Sequence, residues 1–182
     1  MSLLGGNRLN PASLGLAGFG FTTVLLNLIN SGLLDSSALP IVLAMGIFYG
    51  GLAQIITGIL EARAGNTFGT VAFTSYGLFW LATVSILMGY FGETSNVGMA
   101  AYLTGWGFFT AYMTVAARKH DWITRLVFIT LTILFFLLAA GEFNQTIRII
   151  GGYEGIICGA LAIYASAAGV INESLGKDIL PT

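Results

Sequence analysis

Residues 14–34 read LGLAGFGFTTVLLNLINSGLL, an apolar segment without a single charged side chain. A helix of this length crosses the hydrocarbon core of a bilayer, which is about 30 Å thick. The segment is longer than the roughly 7–15 apolar residues of a signal-peptide core, and no A-x-A-like cleavage site follows it. We therefore predict that it is a retained membrane helix.

The composition of the whole chain extends this interpretation. Of 182 residues, 8% are charged and 56% are hydrophobic, and the mean hydropathy is +0.86. Because soluble domains carry about 25% charged residues, this chain cannot cover a water-facing surface, and lipid is its expected solvent. The formal net charge of −1 gives no reason to expect a nucleic acid as a partner. The one cysteine, Cys158, excludes a disulfide within the chain.

Charged and turn-forming residues divide the chain into six apolar segments. The predicted membrane-spanning helices cover approximately residues 13–34, 40–60, 70–91, 97–117, 122–140 and 151–175. The links between these segments are too short to hold a soluble domain. We therefore predict an all-α membrane protein in which residues 1–182 form a single domain of six transmembrane helices.

The positive charges predict how this domain is oriented. Six of the seven cations fall at the same ends of the predicted helices, namely Arg8, Arg63, Arg118, Lys119, Arg125 and Lys177. Only Arg148 lies at the opposite ends. Because cytoplasmic loops carry an excess of Lys and Arg, both termini are expected in the cytoplasm of a multi-pass protein of the cytoplasmic membrane.

Glycines recur at a spacing of four in two of the predicted helices. They are Gly46 and Gly50 in the second helix, and Gly151, Gly155 and Gly159 in the sixth. Small residues at this spacing let two helix backbones approach closely. The spacing leaves open whether the partner helix belongs to the same protomer or to a neighbouring one.

Catalytic chemistry has no recognisable candidates in this sequence. His120 is the only histidine and lies in a charged turn, far along the chain from Cys158, where a solvated loop residue is the expected interpretation. A metal site needs a cluster of ligands, and a catalytic site needs a nucleophile with a base or a matched acid and base. We therefore predict no enzyme activity, no catalytic residues, no metal and no cofactor.

The predicted membrane interior holds amide and hydroxyl side chains, but no lysine or arginine near the middle of any helix. Such groups are costly in lipid unless they bond a neighbouring helix or line a wet path. A single threonine often bonds its own helix instead, whereas Asn27 and Gln54 are harder to satisfy in this way. An anion crossing here meets no fixed countercharge, which favours a small, loosely bound substrate or a neutral acid over a multivalent ion.

Residues 10–16, NPASLGL, closely resemble the NPAPLGL signature of the acetate uptake transporter family of acetate/succinate–proton symporters. Ser13 stands where that family usually has proline, which removes one rigid φ angle. Three further blocks resemble the family in order and spacing: AMGIFYGG at 44–51 with Gln54, GNTFG at 65–69, and AFTSYG at 72–77 with Phe79 and Trp80. The resemblance covers essentially the whole chain.

This resemblance implies a six-helix protomer with its own pore, assembled in the bilayer as a homo-oligomer, a hexamer. It implies passage of acetate and similar small monocarboxylates, with channel-like or proton-coupled behaviour and the passage of succinate left open. It also implies an apolar constriction at Phe19, Tyr76 and Leu131. These residues lie roughly 6–9 positions into helices that all begin at the cytoplasmic face, so they can share one layer.

Five polar residues are candidates for contact with the substrate: Asn10, Thr22, Gln54, Asn66 and Thr67. Asn10 precedes Pro11, which disfavours the helical region for Asn10 and leaves its amide free to cap the first helix or to meet the substrate. We expect Asn10 and the turn at 66–69 to build the cytoplasmic mouth.

Two other functions fit the same pattern of helices. A urea or amide channel also needs a polar, uncharged pore, and competition between solutes in a flux assay separates it from a carboxylate transporter. A membrane sensor or scaffold needs the helices but no pore, and a flux measurement on purified protein excludes or supports it.

Overall fold

A computed structural model describes residues 10–182, and every regular element in this part of the chain is helical. The helices are α1 (Ala12–Asn30), α2 (Leu39–Met45), α3 (Gln54–Arg63), α4 (Thr67–Leu87), α5 (Asn96–Ala116), α6 (Trp122–Gly141) and α7 (Gln145–Leu175). A π-helical segment, Gly46–Ala53, joins α2 to α3. The stretch Ser36–Arg63 is therefore one continuous crossing, called here the second span. Arg8 lies outside the described residues.

Five of these stretches are long and apolar enough to cross a membrane: α1, the second span, α4, α6 and α7. Helix α5 has 21 residues, which is also sufficient length. Its glycines, threonines and tyrosines lower its hydropathy. The prediction of an all-helical membrane protein is confirmed.

The π-helical segment depends on its glycines. A Cβ atom on Gly51 would lie 2.8 Å from the carbonyl oxygen of Gly46, five residues earlier in the same turn. A Cβ on Gly50 would lie 2.9 Å from the Trp80 side chain of α4. Only a residue without a side chain fits at these positions, so the glycines permit the wide turn and bring the second span against α4.

The helices follow one another around the bundle in an order that differs from their order in the chain. Helix α1 packs on α7 and on the second span, α7 packs on α6, and α6 packs on α5. The second span packs on α4. Between α4 and α5 few backbone atoms come close, and aromatic side chains fill the gap, with the Phe79 and Trp106 rings 5.1 Å apart. This arrangement closes a ring of helices around a common centre.

Helices α1 and α7 meet along a seam of small residues. A Cβ on Gly159 would lie 2.8 Å from the Gly20 carbonyl oxygen, and a Cβ on Gly20 would lie 2.7 Å from the Gly159 carbonyl oxygen. Gly155 lies against the Asn27 side chain, and Gly151 faces Leu137 and Leu138 of α6. The partners that the glycine spacing left open are therefore helices of the same chain at these positions.

Three helix ends lie at least four residues from the predicted bounds: the start of α7 and the ends of α1 and α4, the last at Leu87 rather than near residue 91. Helix α7 begins at Gln145 rather than near residue 151, because the Asn144 side chain accepts hydrogen bonds from the Thr146 and Ile147 backbone N–H groups. Arg148 can enter this first turn because it forms an ion pair with Glu142, N to O 2.6 Å. Helix α1 ends at Asn30, four residues before its predicted end, and the chain then turns through Gly32, whose φ is +79°.

Candidate functional site

A cavity of about 650 Å³ opens at the end of the bundle where α1, α4 and α6 begin and where α3 and α7 end. Its polar rim, called here the mouth, includes Asn10, Glu61, Asn66, His120, Asp121 and Asp178. From the mouth the cavity runs inward between the helices. On α1, α4 and α6, which begin at the mouth, the lining residues farthest along each helix are Phe19, Tyr76 and Leu131.

These three residues are almost inaccessible, with exposed fractions of 5% for Phe19, 3% for Tyr76 and 2% for Leu131. The Phe19 and Tyr76 ring centroids lie 6.0 Å apart. The Tyr76 hydroxyl shares a hydrogen bond of 2.9 Å with the Thr110 hydroxyl of α5, which orients the tyrosine ring. An apolar layer thus closes the inner end of the cavity.

Beyond this layer, away from the mouth, the centre of the bundle is filled by large side chains. Phe79, Trp80 and Phe135 belong to the same apolar core as the layer, and the partly buried Trp106 packs against that core. The Phe79 and Phe135 rings meet edge to face at 5.2 Å. The cavity is therefore a vestibule that stops at a packed barrier.

One wall of the vestibule is an aromatic series that leads from the mouth to the apolar layer. The His120 ring lies 4.2 Å from the Phe68 ring, Phe68 lies 5.1 Å from Phe128, and Phe128 lies 6.1 Å from Tyr76, measured between ring centroids. The expectation of a solvated loop histidine therefore needs correction, because His120 is half-buried against Phe68.

Of the five polar candidates, three line the cavity: Asn10, Gln54 and Asn66. The Asn10 side chain caps α1, since its Oδ1 accepts from the Ala12 backbone N–H at 3.1 Å. The Asn66 side chain caps α4, since its Oδ1 accepts from the Gly69 backbone N–H at 3.1 Å. Both caps hold an amide at the mouth.

Thr22 and Thr67 are not among the residues that line the cavity. The Thr22 hydroxyl is fully buried and donates to the Gly18 carbonyl at 2.7 Å, one turn back in its own helix. Thr67 is exposed at the first turn of α4. Thr22 therefore bonds its own helix, as the sequence analysis expects of a single threonine.

The pattern of residues did not identify Glu61 as part of the site. It ends an apolar stretch and therefore resembled a boundary residue, yet it is only 3% exposed and lines the cavity. The Asn66 Nδ2 donates to Glu61 Oε2 at 2.7 Å. The one available signal was its place five residues before Asn66 of the GNTFG block, the asparagine that turns back onto it.

Comparison with known proteins finds extensive similarity along the chain. The model of the GPR1/FUN34/yaaH family matches residues 6–177. The succinate-acetate/proton symporter SatP of Escherichia coli K12 is 48% identical over 94% of this chain and 94% of its own length. Acetate permease A of Emericella nidulans is 34% identical over 94% of this chain and 65% of its own length.

The fold is also that of a solved structure. The structure of the bacterial acetate channel SatP matches with a TM-score of 0.90 and 49% identity, over 95% of this chain and 98% of that one. The names of these relatives are those of a symporter, a permease and a channel, and none is that of an enzyme.

Proposed function

This chain belongs to the GPR1/FUN34/yaaH family, and from that premise we propose that it carries acetate and similar small monocarboxylates across the cytoplasmic membrane. The observation that carries the proposal is the vestibule of about 650 Å³ that ends at Phe19, Tyr76 and Leu131. A cavity of this kind within a single chain suits a pore in each protomer. The names of the relatives supply the substrate class.

The proposed mechanism rests on an apolar constriction between a wet vestibule and the far side of the membrane. Hydrophobic constrictions resist hydrated ions by dewetting. An anion that leaves water without a countercharge pays a large desolvation cost. The desolvation cost at the layer of Phe19, Tyr76 and Leu131 is lowest for a compact acid with one carboxyl group. Such an acid passes with its proton or is briefly held by neighbouring donors.

Uptake of labelled acetate by purified protein in liposomes tests this function. With the membrane potential clamped, we expect uptake well above that of protein-free liposomes, a dependence on pH, and competition by propionate but not by urea. Competition by urea would instead identify an amide channel. Uptake equal to that of protein-free liposomes would leave only a sensor or scaffold.

We further propose that the mouth faces the cytoplasm. Five described cations lie at or within one turn of the helix ends at the mouth: Arg63, Arg118, Lys119, Arg125 and Lys177. Arg148 lies at the opposite end, paired with Glu142. Because cytoplasmic loops carry an excess of Lys and Arg, this distribution supports a mouth that faces the cytoplasm.

Labelling of single cysteines tests this orientation in a background where Cys158 is replaced by serine. Thr182→Cys reports the mouth, and Glu93→Cys reports the opposite end. We expect a membrane-impermeant maleimide to label Glu93→Cys in intact cells, and Thr182→Cys only after the cells are permeabilised. Labelling of Thr182→Cys from outside intact cells contradicts the orientation.

The assembly that the family resemblance implies, a homo-oligomer and specifically a hexamer, is also part of the proposal. Its support is the apolar outer surface of the protomer, with large exposed side chains such as Phe48 and Phe108. Such a surface is compatible with lipid and with neighbouring copies. Native mass spectrometry of protein released from detergent is expected to give a mass of six chains.

A further inference from the structure

Glu154 places a carboxyl group inside a membrane crossing. It lies on α7 six positions beyond Arg148, which is about 9 Å deeper along the helix axis. Arg148 is paired with Glu142 at the end of the bundle opposite the mouth. A titratable side chain at such a depth is costly and rare in membrane helices, and it usually marks a functional site.

Both carboxyl oxygens of Glu154 are buried and have no hydrogen-bond partner among the described residues. No lysine or arginine of the described chain lies within 4.0 Å of them, since the pair of Arg148 with Glu142 is the one ion pair found there. A buried carboxylate without a donor or a cation is very expensive, so such a group binds a proton and becomes neutral instead.

The surroundings of Glu154 are those of the contact between α7 and α6. Gly151 faces Leu137 of α6, and the Cys158 thiol donates to the Val127 carbonyl of α6 at 3.7 Å. Positions three and four apart lie on the same face of a helix. Glu154 therefore faces α6 between these two contacts.

Neither neighbouring helix offers Glu154 a charged or titratable group at this level. Residues 127–138 of α6 read VFITLTILFFLL, and α1, the other helix on which α7 packs, has no titratable side chain. On α7 itself the nearest titratable groups are the exposed Tyr153 and the buried Cys158. Protonation of Glu154 is therefore governed by its burial and not by a neighbouring charge.

The polar groups of this contact already use their protons. The Thr130 hydroxyl donates to the Leu126 carbonyl of its own helix at 2.8 Å, and the Cys158 thiol donates to the Val127 carbonyl. A hydroxyl or a thiol carries a single proton. Neither group is left to stabilise a negative charge on Glu154.

We propose that Glu154 is a proton-binding site within the membrane, occupied while α6 and α7 are packed together. Glu154 is not among the residues that line the vestibule, so the proton bound there is separate from the acid that crosses. Ionisation of Glu154 requires water, which enters only if α6 moves away from α7. Because α6 also carries Leu131 of the apolar layer, the bound proton holds this helix in its packed position.

Infrared difference spectroscopy of the purified protein, in a detergent without ester groups, measures the protonation of Glu154. Glu154→Gln keeps the shape of a protonated carboxyl group and removes the acid. At about pH 6 a glutamate in water is almost fully ionised. We nevertheless expect the wild type to show the C=O stretch of a protonated carboxyl group that the variant lacks, and this band to disappear as the pH is raised.

Glu173→Gln is the matched control, because Glu173 is an exposed residue of the same helix. Its spectrum is expected to keep the band of the protonated carboxyl group and to lose carboxylate absorption. Loss of carboxylate absorption in Glu154→Gln under the same mildly acidic conditions would overturn the proposed proton site.

Thermal unfolding at several pH values gives a second measurement. Above about pH 6 the unfolded chain has Glu154 ionised, whereas the folded chain releases its proton only as the pH rises further. Because the folded state binds the extra proton, the free energy of unfolding of the wild type falls with rising pH. We expect the melting midpoint of the wild type to fall by about 5 °C more than that of Glu154→Gln between mildly acidic and alkaline pH.

An equal fall of the melting midpoint in both proteins would overturn the link between the bound proton and the packing of α6 on α7. Neither measurement depends on the proposed transport function. That function is tested separately, by acetate uptake of the wild-type protein, so the two proposals fail on different results.

Discussion

Leucine in place of Gly159 is expected to prevent the chain from accumulating as folded protein. A Cβ atom there would already lie 2.7 Å from the Val24 side chain, 2.8 Å from the Gly20 carbonyl oxygen and 3.0 Å from the Val24 backbone nitrogen. Two of these three atoms belong to the α1 backbone, which cannot yield unless the whole helix moves. The larger side chain must therefore separate α1 from α7, the most extensive helix pairing in the protein.

The cost of such overpacking is about 1–3 kcal/mol for added methylenes in a packed core, and higher where a backbone must move. We expect the midpoint temperature of thermal unfolding in detergent to fall by about 10 °C or more, or the yield of folded protein to drop below detection. Gly105→Leu is the matched control, because Gly105 is also helical and a Cβ there has nothing within 4 Å. Equal melting of both variants would contradict the tight seam between α1 and α7.

The same seam illustrates how far the sequence predicts packing. A spacing of four places glycines on one face of a helix, and this much follows from helix geometry. The identity of the partner does not follow, because it depends on which helices become neighbours in the ring. Gly155 meets Asn27 of the same chain, a contact between residues more than a hundred positions apart.

Charged residues do not always end a membrane helix in this protein, although the predicted bounds of the helices assume that they do. Arg148 lies within the first turn of α7 because Glu142 neutralises it. Glu61 lies inside the protein because Asn66 bonds it. In both cases the partner becomes apparent only when the chain has turned back on itself, so a window of sequence could not reveal it.

The three constriction residues were predicted from the resemblance to the transporter family and not from the pattern of apolar residues. Three large side chains on helices are usual in any protein core, so the pattern alone does not single them out. Phe19, Tyr76 and Leu131 are each the lining residue farthest from the mouth along their own helix, and all three belong to one buried apolar cluster. Their role in selection remains a prediction. The free space beside them gives that prediction a measurable consequence, because a shortened side chain extends a cavity that already exists.

Alanine in place of Phe19 or Leu131 is expected to raise the uptake of bulkier monocarboxylates relative to acetate by about tenfold. Each substitution removes apolar bulk from the layer that closes the vestibule, so a larger acid passes with less steric and desolvation cost. The hydrogen bond between Tyr76 and Thr110 is untouched, so the third member of the layer stays oriented. Truncation of a fully enclosed side chain costs about 2–5 kcal/mol, and we expect a smaller loss here because the cavity adjoins the site.

The measurement is the uptake of labelled benzoate and acetate in proteoliposomes matched for incorporated protein. Phe108→Ala and Leu78→Ala are the matched controls, since Phe108 and Leu78 are 66% and 53% exposed on the outer surface and lie outside the cavity. Their benzoate-to-acetate ratio is expected to equal that of the wild type. A layer that sets selectivity must change this ratio in both Phe19→Ala and Leu131→Ala, because each residue borders the inner end of the same cavity. A ratio that is unchanged in both, in folded and incorporated protein, shows that selectivity is decided at another depth of the pore.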